Sequence, residues 1–204
     1  MSNESIRNTV SLMLITVIAG LLLGVVYEIT KKPIAEEQQR AKEEAYREVF
    51  ADAESFEAVE VNREDVEKKL NKQGFDAAIN EAMQVFDKSG NPIGYVLTVT
   101  DHEGYGGDIQ FAMGVKSDGT VNGISFLSIG ETAGLGMKAT EDDFKKQFAD
   151  KKVDSFVYTK NGASADNEID ALSGATITTN AVTNGVNAGL CLLYTSPSPR
   201  DRTR

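Results

Sequence analysis

From Asn8 to Tyr27 the chain carries no charged side chain and is built of Leu, Ile and Val throughout. At a helical rise of about 1.5 Å per residue the stretch spans about 30 Å, the thickness of a bilayer core. A helix apolar on every side has no polar face to turn to water, so it must be surrounded by lipid or protein. A cleaved signal peptide is the rival reading. Against it, Arg7 is the only basic residue ahead of the run, and no small-x-small site follows Val25, Val26 and Tyr27. Residues 1–32 are therefore expected to form a tail and a single transmembrane anchor, with the remainder folding as an appended domain.

Charge bias does not orient the anchor, because Arg7 and the amino terminus oppose Lys31 and Lys32. Cys191 is the sole cysteine, so residues 1–190 contain no thiol, which suits an oxidising exterior without proving it. The formal charge of −10 excludes a nucleic-acid partner, since nothing supplies the basic stripe that displaces counterions from phosphates.

Pro33 is expected to interrupt the first helix. A second helical pattern follows, with Ile34, Gln38, Ala41, Ala45 and Val49 on one side and charges elsewhere, so residues 33–80 read as a helical stalk and linking region. From Ala82 the period becomes alternating. Val85 and Phe86, then Ile93, Tyr95, Leu97 and Val99, flank the turn string Ser89-Gly90-Asn91-Pro92 and predict a hairpin. Ile109–Val115 and Val121–Ile129 flank Ser117-Asp118-Gly119 and predict a second. Thr140 is expected to cap a short helix, with Asp143 in the capping-box position and Phe144 and Phe148 on one face. Ser155–Tyr158 reads as a further strand, closed by Asn161 and Gly162. These elements define an α+β domain over residues 81–190, an antiparallel sheet with flanking helices. The stretch 191–204 gathers two prolines and four late charges where a helix should finish. It resembles translated adapter sequence and reads as a non-native or artefactual tail.

The run Asp170-Ala-Leu-Ser-Gly-Ala-Thr-Ile-Thr-Thr179 is the most chemically informative. Gly174 lets backbone approach a ligand closely, Ala175 adds little bulk, and Ser173, Thr176, Thr178 and Thr179 surround the turn with hydroxyls. Ile177, Ala181, Val182, Val186 and Leu190 then form an apolar helical face, so a helix N-terminus would point its free amides and positive dipole end at an anion there. Ser and Thr before a helix are also ordinary caps. Two further glycine segments stand out: Gly104, Tyr105, Gly106 and Gly107 between the hairpins, and Glu131, Thr132, Ala133, Gly134, Leu135 and Gly136 at the end of the second. Each has an ordinary loop explanation taken alone. His102, the one histidine, lies between Asp101 and Glu103, too few converging ligands for a metal site, and none is assigned. Lys138 is either a solvated lysine or a charge partner for a bound anion.

The spacing of Asp170, Ser173, Gly174, Ala175 and Thr176 resembles the recognition motif of proteins that carry FMN covalently, joined by a phosphoester to the last threonine. The Gly-Tyr-Gly-Gly and Glu-Thr-x-Gly-Leu-Gly segments occur in the same order in that family, with Ala133 here where proline is expected. From the anchor through Leu190 the chain is similar to the RnfG family of Rnf electron transport complexes. The related NqrC family of the sodium-pumping NADH:quinone reductase shares the flavin motif but is typically longer. The resemblance implies an extracytoplasmic FMN-binding domain, a redox component of a translocase in the cell membrane. It would relay electrons within an ion-translocating ferredoxin:NAD⁺ oxidoreductase whose other membrane and peripheral subunits are its partners. Thr176 would be the attachment residue, with Ser173, Gly174, Ala175 and Thr178 around the phosphate. Gly104, Tyr105, Gly106 and Gly107, together with Glu131, Thr132, Gly134, Leu135 and Gly136, would lie along the isoalloxazine and ribityl chain. A Mg-dependent FAD:protein FMN transferase would install the flavin, with Asp170 read by that enzyme or assisting the hydroxyl. The alternatives are a stand-alone flavinylated electron-transfer domain and an anchored binding or scaffold module without redox chemistry.

Overall fold

Two hairpins rich in β-branched and aromatic residues build the centre of the fold. The computed structural model describes residues 3–195, which divide into two compact units with the boundary between Ala41 and Lys42. The first unit is the body of helix α1, Asn3–Val49, the one described helix long and apolar enough to cross a membrane. Leu21, Leu22 and Leu23 along it are exposed, in keeping with a surface meant for lipid.

Pro33 lies inside α1 rather than ending it. A proline costs one intrahelical hydrogen bond and a local clash, about 3 kcal/mol. The flanking Ala, Glu, Gln, Lys and Arg positions are strong helix formers that hold the helix through it.

The second unit holds a five-stranded antiparallel sheet in simple meander order: β1 Ser55–Val59, β2 Ala77–Phe86, β3 Pro92–Asp101, β4 Ile109–Lys116 and β5 Val121–Ser128. Helix α2, Arg63–Lys72, links the first two strands and is capped by Asn62, whose side chain accepts from Asp65 N–H. Both expected hairpins form. The sheet also takes in Ser55–Val59 and Ala77–Asn80, from the stretch the sequence assigns to a stalk.

Central strands β3 and β4 are buried on both faces. On one, Leu97, Val99, Phe111 and Met113 pack with Ala181, Val182, Val186 and Leu190 of the last helix, α4, Thr176–Thr195. On the other, Val85, Val96 and Ala112 meet Ala45, Tyr46, Val49 and Phe50 at the end of α1. Glycines set these approaches: a Cβ at Gly185 would lie 2.9 Å from Phe111 Cζ, and one at Gly189 2.7 Å from Met113 Sδ. Ile177 departs from the expected apolar face of α4 and is 52% exposed.

Beyond β5 a 3₁₀ turn, Gly136–Thr140, leads into the four-residue helix α3, Asp142–Lys145. Thr140 does not cap that helix. Glu141 is its N-terminal residue, without a side-chain cap, and the Thr140 hydroxyl instead donates back to Met137 C=O at 2.9 Å. The preceding turn had already claimed the hydroxyl. Strands β6, Val157–Thr159, and β7, Glu168–Asp170, then pair in parallel, outside the antiparallel sheet and two residues later than the Ser155 start read from sequence. Phe156 packs inward instead, joining Phe148 and Phe144 in an edge-to-face stack.

Helix α4 continues past Leu190. Leu192 is buried and Cys191 Sγ lies 2.9 Å from Gln73 Oε1, so residues 191–193 pack in the fold despite reading as tail. Residues 196–204, the remainder of that tail, lie outside the described residues.

Candidate cofactor site

Asp170 ends β7, and its neighbours fold the motif back onto the start of α4. Ala175 N–H donates to Leu172 C=O at 3.0 Å, closing a tight turn in which Gly174 adopts φ 76°. Only glycine holds that left-handed conformation without strain, as the third position of a type II turn demands. Thr179 locks the turn from beneath, accepting from Leu172 N–H at 3.0 Å and donating to Ala175 C=O at 3.0 Å. Thr178 and Thr179 are both buried, the first with its hydroxyl beside Gly136 and the second bonded to the turn. Ser173 and Gly174 are exposed, Thr176 is half-buried, and Ala175 is buried beneath.

Thr176 is the first residue of α4, so the amides of Thr176, Ile177 and Thr178 have no intrahelical acceptor. No acidic residue stands in that first turn, and the helix is long enough for its dipole to favour an anion. Asp170 does not point its charge there. Its Oδ1 accepts from Ala163 N–H at 2.5 Å, and Gln147 grips its backbone, Oε1 accepting from Asp170 N–H at 2.6 Å and Nε2 donating to its carbonyl at 3.4 Å.

The other two glycine segments meet this turn. Gly106 N–H donates to Glu131 Oε1 at 3.2 Å, and a Cβ on Gly106 would fall onto the Gly130 carbonyl. A Cβ on Gly136 would lie 2.6 Å from both Glu131 Oε2 and Thr178 Oγ1, and one on Gly174 3.1 Å from Leu135 Cδ2. Residues far apart in the sequence thus form one continuous surface. Buried Glu131 is its hub, and exposed Tyr105, Thr132, Gly134, Leu135 and Ile177 stand on its rim. Lys138 is exposed on the 3₁₀ turn. His102, assigned no metal from the sequence, has a side-chain partner: Nδ1 sits 2.9 Å from Asp108 Oδ1, which raises its pKa.

Because Gly136 faces two buried oxygens, Gly136→Ala is expected to destabilise the domain by about 1–3 kcal/mol. Thermal melting beside Gly134→Ala checks this, since at Gly134 nothing lies within 4 Å and only the φ of 77° resists a side chain.

Sequence reading gave no role to Asp101, which is fully buried at the end of β3. Its Oδ1 accepts from Glu103 N–H at 2.9 Å, while Oδ2 meets no hydrogen-bond partner among the described residues. Desolvation, with smaller contributions from Glu103 and Asp76, lifts its pKa from 3.8 to about 7. Between those values the folded protein binds more protons at this site than the unfolded chain, so this group's contribution to stability falls as pH rises through that window and levels off above it. Urea unfolding as a function of pH should show that fall, on the order of a few kcal/mol, and Asp101→Asn should flatten it. An unchanged slope in the variant would refute the assignment.

An apolar anchor helix together with a glycine cradle at a helix N-terminus defines a class: membrane-anchored proteins with a site suited to an anionic group. Similarity to known proteins agrees. The FMN-binding domain family model matches residues 104–190, the span holding all three glycine segments, and the RnfG N-terminal region model matches residues 1–49. The G component of the proton-translocating ferredoxin:NAD(+) oxidoreductase complex of Clostridium ljungdahlii is 34% identical over 184 residues, covering 90% of this chain and 89% of the relative. The G component of the Na(+)-translocating ferredoxin:NAD(+) oxidoreductase complex of Acetobacterium woodii is 32% identical over 183 residues, covering 88% and 86%. A shorter match, 46% identical over 80 residues, covers 35% of this chain and 31% of the C component of the Na(+)-translocating NADH-quinone reductase of Pasteurella multocida. The chain belongs to the RnfG family.

Proposed function

We propose that this chain is the membrane-anchored flavoprotein subunit of an ion-translocating ferredoxin:NAD⁺ oxidoreductase, with its folded domain outside the cytoplasm and FMN esterified through its phosphate to Thr176. The observation that carries the reading is the meeting of the Gly104–Gly107 turn, the Glu131–Gly136 loop and the Leu172–Ala175 turn at the N-terminus of α4. The RnfG relatives support the assembly.

The residues present suit the group. The amides of Thr176, Ile177 and Thr178 would hold the phosphate, which keeps about one negative charge as a diester. Gly174 and Ser173 leave the Thr176 hydroxyl open to a modifying enzyme. Leu135 and Tyr105 offer apolar surface to a planar ring, and Glu131 keeps the loop and turn in register through Gly106 N–H. When bound, FMN supplies an isoalloxazine able to accept and return electrons. Attachment through the phosphate leaves that ring unmodified, so the protein tunes it by hydrogen bonding, exposure and charge. A covalent bond also frees occupancy from the concentration of free flavin, which outside the cell is diluted away.

An unactivated threonine is a weak nucleophile, so an FAD:protein FMN transferase is expected to install the group, reading the motif that begins at Asp170. The chain's partners are the other members of the complex. Intact-mass measurement on membrane-expressed protein, followed by peptide mapping, is the direct test. The expected result is the mass of FMN less one water on the peptide containing Thr176. That peptide found bare in cells holding the transferase would refute the reading, and co-purifying redox subunits would establish the assembly.

A further inference from the structure

Asp101 is the buried ionisable group that nothing described so far employs. Gly185 of α4 lies against it, a Cβ there falling 3.3 Å from Asp101 Cβ and 2.9 Å from Phe111 Cζ. Its Oδ1 fixes Glu103 N–H, and Glu103 accepts from Asn184 Nδ2 on α4 at 2.8 Å. The residue after Glu103 is Gly104, so the carboxyl sits at the root of the turn whose Gly106 amide reaches Glu131.

The charged groups around it come from every neighbouring element. Asp76 precedes β2, and its carbonyl accepts from His102 N–H at 3.0 Å. His102 and Glu103 follow β3, and Asp108 precedes β4, paired with His102. Helix α4 contributes none, since Thr176–Thr195 contains no charged residue. The surroundings are thus net acidic and poorly hydrated, which favours the neutral form of a carboxyl with an unpaired oxygen. With its titration near neutrality, a modest change in nearby charge decides whether Asp101 carries a proton.

We propose that Asp101 is a redox-linked proton site: it takes a proton from solvent when negative charge is added to the flavin seated against the Gly104–Gly107 turn, and releases it when that charge leaves. The inference rests on FMN being held at Thr176. Only the O–H bond of Asp101 forms and breaks. The electrons come from an external reductant and reside in the flavin, and Asp101 itself is neither oxidised nor reduced.

The test uses the full-length flavinylated chain, after intact mass has verified the flavin, in redox titrations from mildly acidic to mildly alkaline pH. Wild type should show added pH dependence of the midpoint through neutrality, corresponding to about tenfold tighter proton binding at Asp101 in the reduced protein, or about 30 mV for a two-electron couple. Asp101→Asn, which keeps the acceptor for Glu103 N–H, should lose it. Reduced-minus-oxidised infrared spectra of wild type labelled with ¹³C-aspartate should show a protonated-carboxyl C=O band that carries the isotope shift. That measurement decides the matter even where the variant does not fold. Flavin-bearing protein with the same pH slope in both forms, or with no labelled carboxyl band, overturns the proton site and leaves the attachment standing. Protein lacking the flavin mass removes both.

Discussion

Replacing Thr176 by alanine is expected to give a folded chain that holds no covalent flavin. Thr176 is half-buried at the first position of α4 and lies outside both core clusters. Removing its hydroxyl should therefore cost stability only about 1 kcal/mol or less. Among the residues whose amides are free at the start of α4, Thr176 is the one with a hydroxyl side chain that is not buried, so its loss leaves no atom to esterify there. Ser173 and Thr178 bracket the test. Ser173 is exposed on the preceding turn and Thr178 is buried beneath the site. In-gel fluorescence after denaturation, in a host with the transferase, should show a bright wild-type band, a bright Ser173→Ala band and a dark Thr176→Ala band with near-normal melting. A Thr176→Ala band as bright as wild type would place the bond elsewhere.

Phe148→Ala should have the largest effect on stability. Phe148 is fully buried, with ring centroids 5.6 Å from Phe144 and 5.2 Å from Phe156. Truncating such a ring removes transfer free energy, leaves a cavity and breaks two edge-to-face pairs, a loss of about 3–5 kcal/mol. That is a large part of the roughly 5–15 kcal/mol typical of a domain. The neighbouring residue, Gln147, holds both backbone groups of Asp170, so loosening the stack should also loosen the flavinylation motif and lower flavin loading. Denaturant titration should show a lower midpoint with unchanged slope. A shift worth less than about 1 kcal/mol would mean that the site collapses to fill the hole.

The legible parts of the fold were those with strong local signals. Turn residues such as Asn91-Pro92 and Asp118-Gly119 lie between alternating apolar runs, and both hairpins form there. The misread parts had a local signal that a competing one, from neighbouring residues or from tertiary contacts, overrode. Pro33 breaks a helix in isolation, yet α1 runs through it. Ser55–Val59 has little alternation of its own and becomes a strand because β2 offers an edge. Thr140 has the chemistry of a cap, but its hydroxyl is taken by the turn before it. In the site, the Gly174 turn followed from residue type alone, since only glycine suits it.

By itself the sequence determined the apolar anchor, the two hairpins and the hydroxyl-glycine motif before α4, because hydrophobic period, turn chemistry and helix capping act over a few residues. Tertiary structure alone decided that Gly106, Glu131, Gly136 and Gly174 meet, that Thr178 is buried against Gly136, and that Asp101 loses its water. Those outcomes depend on which segments the sheet and α4 bring within contact distance, and burial, hydrogen bonding and desolvation between distant residues exist only once the chain has closed.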